Sequence, residues 1–109
     1  MHDAGYDLAD LMALVYEEGA ERLILCPGDP PVIVLHNERH TIEGPPLTLL
    51  DTELMFRRIA DTRQLRQLRI ELIPEFYYRF RSLLFRVTAR LWSTGVVLDL
   101  AREEAQQDD

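Results

Sequence analysis

The run Leu84-Phe85-Arg86-Val87-Thr88-Ala89-Arg90-Leu91-Trp92 alternates in character from its second residue onward. Phe85, Val87, Ala89 and Leu91 fall on one side; Arg86, Thr88, Arg90 and Trp92 fall on the other. Successive side chains of a strand point to opposite faces, so a period of two reads as a strand with one covered face and one wetter face. Just upstream, Glu75 to Arg81 repeats the pattern, with Phe76, Tyr78 and Phe80 set against Tyr77, Arg79 and Arg81. Downstream, Ser93-Thr94-Gly95 reads as a turn and Val96 to Leu100 as a returning strand. Three neighbouring strands of this kind predict an antiparallel sheet that buries one face only.

Moving back towards the N-terminus, the period changes. Asp61-Thr62 opens a helix in which Leu65, Leu68 and Leu72 face inward and Arg63, Arg66 and Arg69 face out, with Pro74 as its stop. Thr48 is an N-cap with Asp51 three residues on, which starts a helix running to about Ala60 with Thr52, Met55, Phe56 and Ile59 as its buried stripe. Glu43-Gly44-Pro45-Pro46 is a stiff surface loop. Ahead of it, Arg22 to Cys26 and Val32 to Leu35 read as short strands around the turn cluster Pro27-Gly28-Asp29-Pro30-Pro31. His36 to Arg39 is a hairpin turn, and His40 to Ile42 pairs back. The first helix has Asp7 as N-cap, Leu8, Leu11, Met12 and Val15 at helical spacing, and Gly19 as its closing residue. Helix, three strands, two helices, three strands is an α+β layer: about six antiparallel strands with helices packed on one face. The expected division is a flexible 1–6, one α/β domain over 7–102 and an acidic disordered tail over 103–109.

Length and composition exclude several function classes. At 109 residues the chain is one domain's worth, and 47% hydrophobic residues suit a packed core. No apolar run is long enough to span a bilayer, and the start Met-His-Asp carries no basic or apolar leader, so the expected compartment is the cytoplasm. All 12 basic residues are arginine. Without a lysine there is no Walker-loop ammonium for a terminal phosphate and no Schiff-base amine. Ser82 and Ser93 lie outside any Gly-x-Ser-x-Gly context. The single Cys26, ending an apolar run, reads as a small buried hydrophobe. His36 and His40 have an H-x-x-x-H spacing but sit in a hairpin, which makes them exposed turn residues rather than zinc ligands. No pair among Asp7, Asp10, Glu17, Glu18 and Glu21 stands out as an acid–base couple; they read as cap and surface residues. The expectation is a protein without catalytic residues, cofactor or metal.

Charge is unevenly spread. Residues 1–52 carry ten acids against two arginines, and residues 53–102 carry five acids against ten arginines. The overall formal charge of −7 repels phosphate at long range, so nucleic acid ranks low as a partner. The candidate partner interface is Tyr77, Arg79, Arg81, Arg86, Arg90 and Trp92, on the polar side of two adjacent predicted strands. Arginine, tyrosine and tryptophan are the residue types that dominate interface energies, and guanidinium groups stack on aromatics and grip carboxylates. The same residues would also suit a solvated sheet face with cross-strand cation–π pairs, or a small-anion site.

Three landmarks add a resemblance: Gly19-Ala20, then Gly28-Asp29-Pro30-Pro31-Val32, then Gly44-Pro45-Pro46-Leu47-Thr48, followed late in the chain by Phe85-Arg86-Val87 and Gly95-Val96-Val97. In this order and spacing they resemble the N-terminal domain of the type IV pilus retraction, or twitching motility, ATPases of the PilT type, over roughly residues 7–101. The chain departs from that pattern in several places. Glu21-Arg22-Leu23-Ile24 stands where the family has Ser-Asp-Leu-His, His36-Asn37 replaces the usual hairpin turn, the third helix is arginine-rich, and Thr88 replaces an asparagine. The resemblance implies a PAS-like fold and a contact role in a pilus or secretion motor, without the ATPase lobe that carries the Walker loop. The expected function is a non-catalytic interaction or regulatory module. It would dock to a motor-type ATPase, to another cytoplasmic protein or to itself as a homo-oligomer. The alternatives are a PAS-like small-ligand sensor, with a pocket lined by residues such as Leu68, Tyr78 and Phe80, and a small acidic adaptor of the secretion-chaperone kind.

Overall fold

The computed structural model describes residues 6–70 and 72–103. The first helix, α1 (Leu8–Glu18), starts where the Asp7 carboxylate accepts from the Ala9 N–H. It ends at Gly19, whose φ of 70° lies in the left-handed region that a Cβ disfavours. Three short strands follow: β1 (Arg22–Leu25), β2 (Val32–Leu35) and β3 (Glu38–Thr41). The turn between β2 and β3 is tighter than expected. It holds only His36 and Asn37, both at positive φ, which is the two-residue geometry that matches strand twist. Next come α2 (Leu49–Ile59) and α3 (Thr62–Arg69), each opened by a reciprocal capping box, Thr48 with Asp51 and Asp61 with Gln64. The chain then forms β4 (Glu75–Phe80), β5 (Leu83–Trp92) and β6 (Gly95–Arg102).

All six strands join one antiparallel sheet in the order β3-β2-β1-β6-β5-β4. Two three-stranded meanders thus meet along β1 and β6, where Leu23 faces Leu100 and Leu25 faces Leu98. α1 lies against β1, α2 crosses β6 and α3 rests on β5. The core between helices and sheet holds Met12 and Val15 from α1, Phe56 from α2, and Leu23, Phe85, Val87, Leu98 and Leu100 from the strands, all essentially without solvent contact. Each such side chain contributes about 1.5–3 kcal/mol through removal from water. The Phe56 and Phe76 rings meet at 6.3 Å in a tilted arrangement, tying α2 to β4.

The end of the sheet that carries the Pro–Gly loops is cross-linked by backbone. The Gly28 N–H donates to the Leu47 carbonyl and the Leu47 N–H donates to the Asp29 carbonyl, each at 2.9 Å. Ile42 N–H donates to the Pro31 carbonyl at 2.8 Å, and the Tyr6 hydroxyl donates to the Pro45 carbonyl at 2.6 Å. Gly95 closes the cluster from β6. Its φ is 123°, and a Cβ there would stand 2.7 Å from Leu49 Cδ1 and 3.2 Å from Pro27 Cγ.

Two expectations about this end need correction. Leu72 does not face inward and Pro74 does not stop the third helix: α3 ends at Arg69, and Leu72 is 52% exposed. The Ile70 N–H still reaches the Arg66 carbonyl, but the Leu72 N–H turns back to the Gln67 carbonyl. Pro74 pushes Ile73 towards extended geometry, and α3 is too short for propensity to carry it further. Leu91, expected in the buried row of β5, is 49% exposed. β4 begins only opposite Thr88, so the last residues of β5, still paired with β6, overhang the end of β4. The expected flexible 1–6 and acidic tail 103–109 lie outside the described residues apart from their inner ends, Tyr6 and Glu103. Glu103 N–H donates to the Leu84 carbonyl.

Candidate interaction face

Strand register sorts every sheet residue to one of two faces. Phe85, Val87, Leu98, Leu100, Leu23, Leu25 and Ile33 share the face under the helices. Among the described residues no helix covers the other face. On it, Tyr77 stands directly opposite Arg86, and Arg79 opposite Leu84. Arg90 pairs in register with Val97 and Trp92 with Gly95. Five of the six expected interface residues, Tyr77, Arg79, Arg86, Arg90 and Trp92, are therefore brought onto one surface. From Arg86 to Trp92 it spans roughly 20 Å at the strand rise. Tyr77 and Trp92 are its exposed aromatics, at 59% and 57%.

Arg81 is the exception. It sits in the two-residue turn between β4 and β5 with φ at 55°, so strand alternation no longer governs it. Its guanidinium lies 5.1 Å from the centre of the Tyr16 ring on α1 and 5.0 Å from that of Phe80. This cation–π stack fastens the β4–β5 turn to the helical layer and takes Arg81 away from the open face.

Electrostatics on the open face are modest. Arg86 reaches Glu75 and Glu103, both at 3.6 Å, and all three side chains are a third or more exposed. Arg22 donates to Asp99 at 2.9 Å. Exposed pairs of this kind contribute little to stability, and they leave the guanidinium groups able to change partners. Between the charged positions runs an apolar band that the sequence reading missed. Ile24, Val32, Val34 and Val97 are half-buried on the open face by register. The signal was present: Leu23-Ile24-Leu25 and Val32 to Leu35 are unbroken apolar runs, which in a strand place hydrophobes on both faces.

The remaining candidates lie at separate places in the fold. The His36 N–H donates to the Glu21 carboxylate at 3.1 Å, and the His40 ring lies 3.9 Å from Glu38. Among the described residues no group of three His, Cys, Asp or Glu side chains is placed to hold a metal. Burial pushes the Cys26 thiol above its usual range, and the Asp29 charge adds to the effect, which disfavours the reactive thiolate. Tyr78 and Phe80 pack against the core. Leu68 alone of the three expected pocket residues borders an open groove, of about 200 Å³, between α2, α3 and the β5–β6 end. Among the described residues no helix is long and apolar enough to cross a membrane.

No protein-family model matches the chain, and no curated protein is similar to it in sequence. Solved structures are similar in fold. The pilus retraction motor PilT, solved with bound ADP, superposes with a TM-score of 0.83 at 19% identity, covering 96% of this chain and 31% of PilT. The DotB ATPase of Legionella pneumophila gives 0.78 at 16% identity, and that of Yersinia pseudotuberculosis gives 0.77 at 10%. Each match covers 95% of this chain and about a third of the DotB chain. Three residues of the landmarks quoted above, Gly28, Leu47 and Gly95, occupy the cross-linked loop end of this chain. The chain has the fold of one domain of PilT- and DotB-type ATPases.

Proposed function

We propose that this chain is a non-catalytic interaction module of a pilus- or secretion-type motor system, acting in the cytoplasm by docking to a motor-type ATPase or to a second copy of itself. The observation that carries this reading is the uncovered sheet face on which Tyr77, Arg79, Arg86, Arg90 and Trp92 flank an apolar band. Two large aromatics beside arginines supply anchors that lose little entropy on binding and charges that set orientation. The absence of lysine from the sequence supports the non-catalytic part, because no ammonium can grip a terminal phosphate.

The test is a titration of the chain against a full-length PilT-type ATPase, together with sedimentation of the chain alone. Association is expected in one of the two assays, and Arg86→Glu combined with Trp92→Ala is expected to abolish it while the circular dichroism and melting midpoint stay unchanged. Association in neither assay, or association unaffected by the double variant, overturns the assignment of this face. ATP turnover by the purified chain that a point substitution removes overturns the non-catalytic reading.

A further inference from the structure

On the helical side of the sheet, opposite the face just described, the groove between α2 and α3 has an apolar floor. Phe56, Leu68 and Val96 form its base, and the half-exposed Leu49 and Leu91 form its walls. Its rim carries two arginines and one carboxylate, Arg69 on α3 and Arg57 and Glu53 on α2, with Arg57 3.2 Å from Glu53, which leaves a net positive charge at Arg69. Leu91 also borders a second hollow, lined by Leu72, Ile73, Arg90 and Trp92, which reaches past the end of β4 to the open-face residues Arg90 and Trp92. Five of the chain's exposed large hydrophobes, Leu49, Leu72, Ile73, Leu91 and Trp92, thus converge on one corner. Isolated exposed hydrophobes are ordinary, but a contiguous set rimmed by charge marks a binding surface.

Size and charge identify the occupant. At about 200 Å³ the groove is smaller than the roughly 300–1,000 Å³ that encloses a whole small ligand, and it is open along its length. It accommodates side chains presented by a larger partner. Arg57 and Arg69 outnumber Glu53 on the rim, and all three belong to the half of the chain with ten arginines against five acids. We propose that this groove docks an acidic amphipathic helix of a partner protein. Two bulky apolar side chains one turn apart seat against Phe56, Leu68 and Leu91, and flanking carboxylates meet Arg57 and Arg69 in charge-assisted hydrogen bonds.

Trp92 is the only tryptophan in the sequence and borders the hollow beyond Leu91, next to the groove, so its emission responds to a peptide that seats against Leu91. The probe is a synthetic peptide of about a dozen residues with leucine at i, i+3, i+4 and i+7 and glutamate elsewhere, the helix-in-groove pattern. The control has the same leucines and lysine in place of glutamate. The glutamate peptide is expected to shift the emission saturably, and the lysine peptide is not. Arg57→Glu with Arg69→Glu is expected to weaken binding at least about tenfold, and Leu91→Glu to abolish it, with melting midpoints unchanged. Arg86→Glu, on the opposite face, is expected to leave peptide binding intact, which separates this site from the sheet face. Equal response to both peptides, or no saturation, overturns the proposal. So does a free protein that sediments as a dimer and becomes monomeric on Leu91→Glu, because a second copy then covers the groove.

Discussion

Two corners of the same sheet end are built on opposite principles. At the β1–β2 corner, two loops rich in proline and glycine are held to each other by reciprocal backbone hydrogen bonds between Gly28, Asp29 and Leu47, and are pinned by Tyr6 and Gly95. At the β4–β5 corner, the chain leaves α3 at Arg69 and reaches Glu75 with Ile70, Leu72 and Ile73 exposed. The first corner is a rigid joint because proline removes unfolded-state freedom and the Gly28, Leu47 and Ile42 N–H groups find carbonyl partners across the loops. The second leaves apolar side chains uncovered beside a strand overhang. One corner is tied together by backbone hydrogen bonds, and the other leaves apolar surface uncovered.

The contrast can be broken most severely at Gly95. Gly95→Val combines a left-handed backbone with a Cβ inside contact distance of Leu49 and Pro27, at a cost of about 3 kcal/mol or more. A chemical-denaturation midpoint close to that of the parent would show that the joint is softer than described. Thr48→Ala removes the side-chain half of the capping box that starts α2 from the same joint. It is expected to cost about 1 kcal/mol, read as a melting midpoint lower by several degrees.

Tyr6→Phe sharpens the comparison through pH. Burial, and then the Asp51 charge, hold the Tyr6 hydroxyl above its ordinary value of 10.0. A pKa raised in the folded state means that the fold prefers the neutral phenol. Its contribution is fully present below about pH 10 and is lost as pH rises through the folded value. The substitution is expected to cost about 1 kcal/mol near neutral pH through the lost bond to Pro45 and to flatten the alkaline fall in stability. At the open corner, Leu72→Glu is expected to change stability by less than about 0.5 kcal/mol. A loss comparable to that at Gly95 would mean that this corner is packed after all.

Much of the secondary structure was legible because it rests on local physics. Asp7, Thr48 and Asp61 act as caps wherever a helix follows them, and the alternation through Phe85, Val87 and Ala89 could bury only one strand face. The candidate face was legible for the same reason, since Tyr77, Arg79, Arg86, Arg90 and Trp92 follow from strand parity. Arg81 was misplaced because parity ends at a two-residue turn, and nothing adjacent in sequence announces Tyr16 as its partner. Leu91 and Leu72 were misplaced because their burial depends on where β4 and α3 stop relative to β5.

Taken by itself, the amino-acid order determined the helix starts, the alternating faces of β4 and β5 and the presence of a hairpin beginning at His36, all of which depend on residues a few positions apart. Tertiary structure alone decided that β1 pairs with β6, that the two Pro–Gly loops bind each other, and that α2, α3 and the β5 overhang enclose a groove. Those outcomes arise from contacts between residues distant in the chain, where packing and long-range hydrogen bonds outweigh local preference.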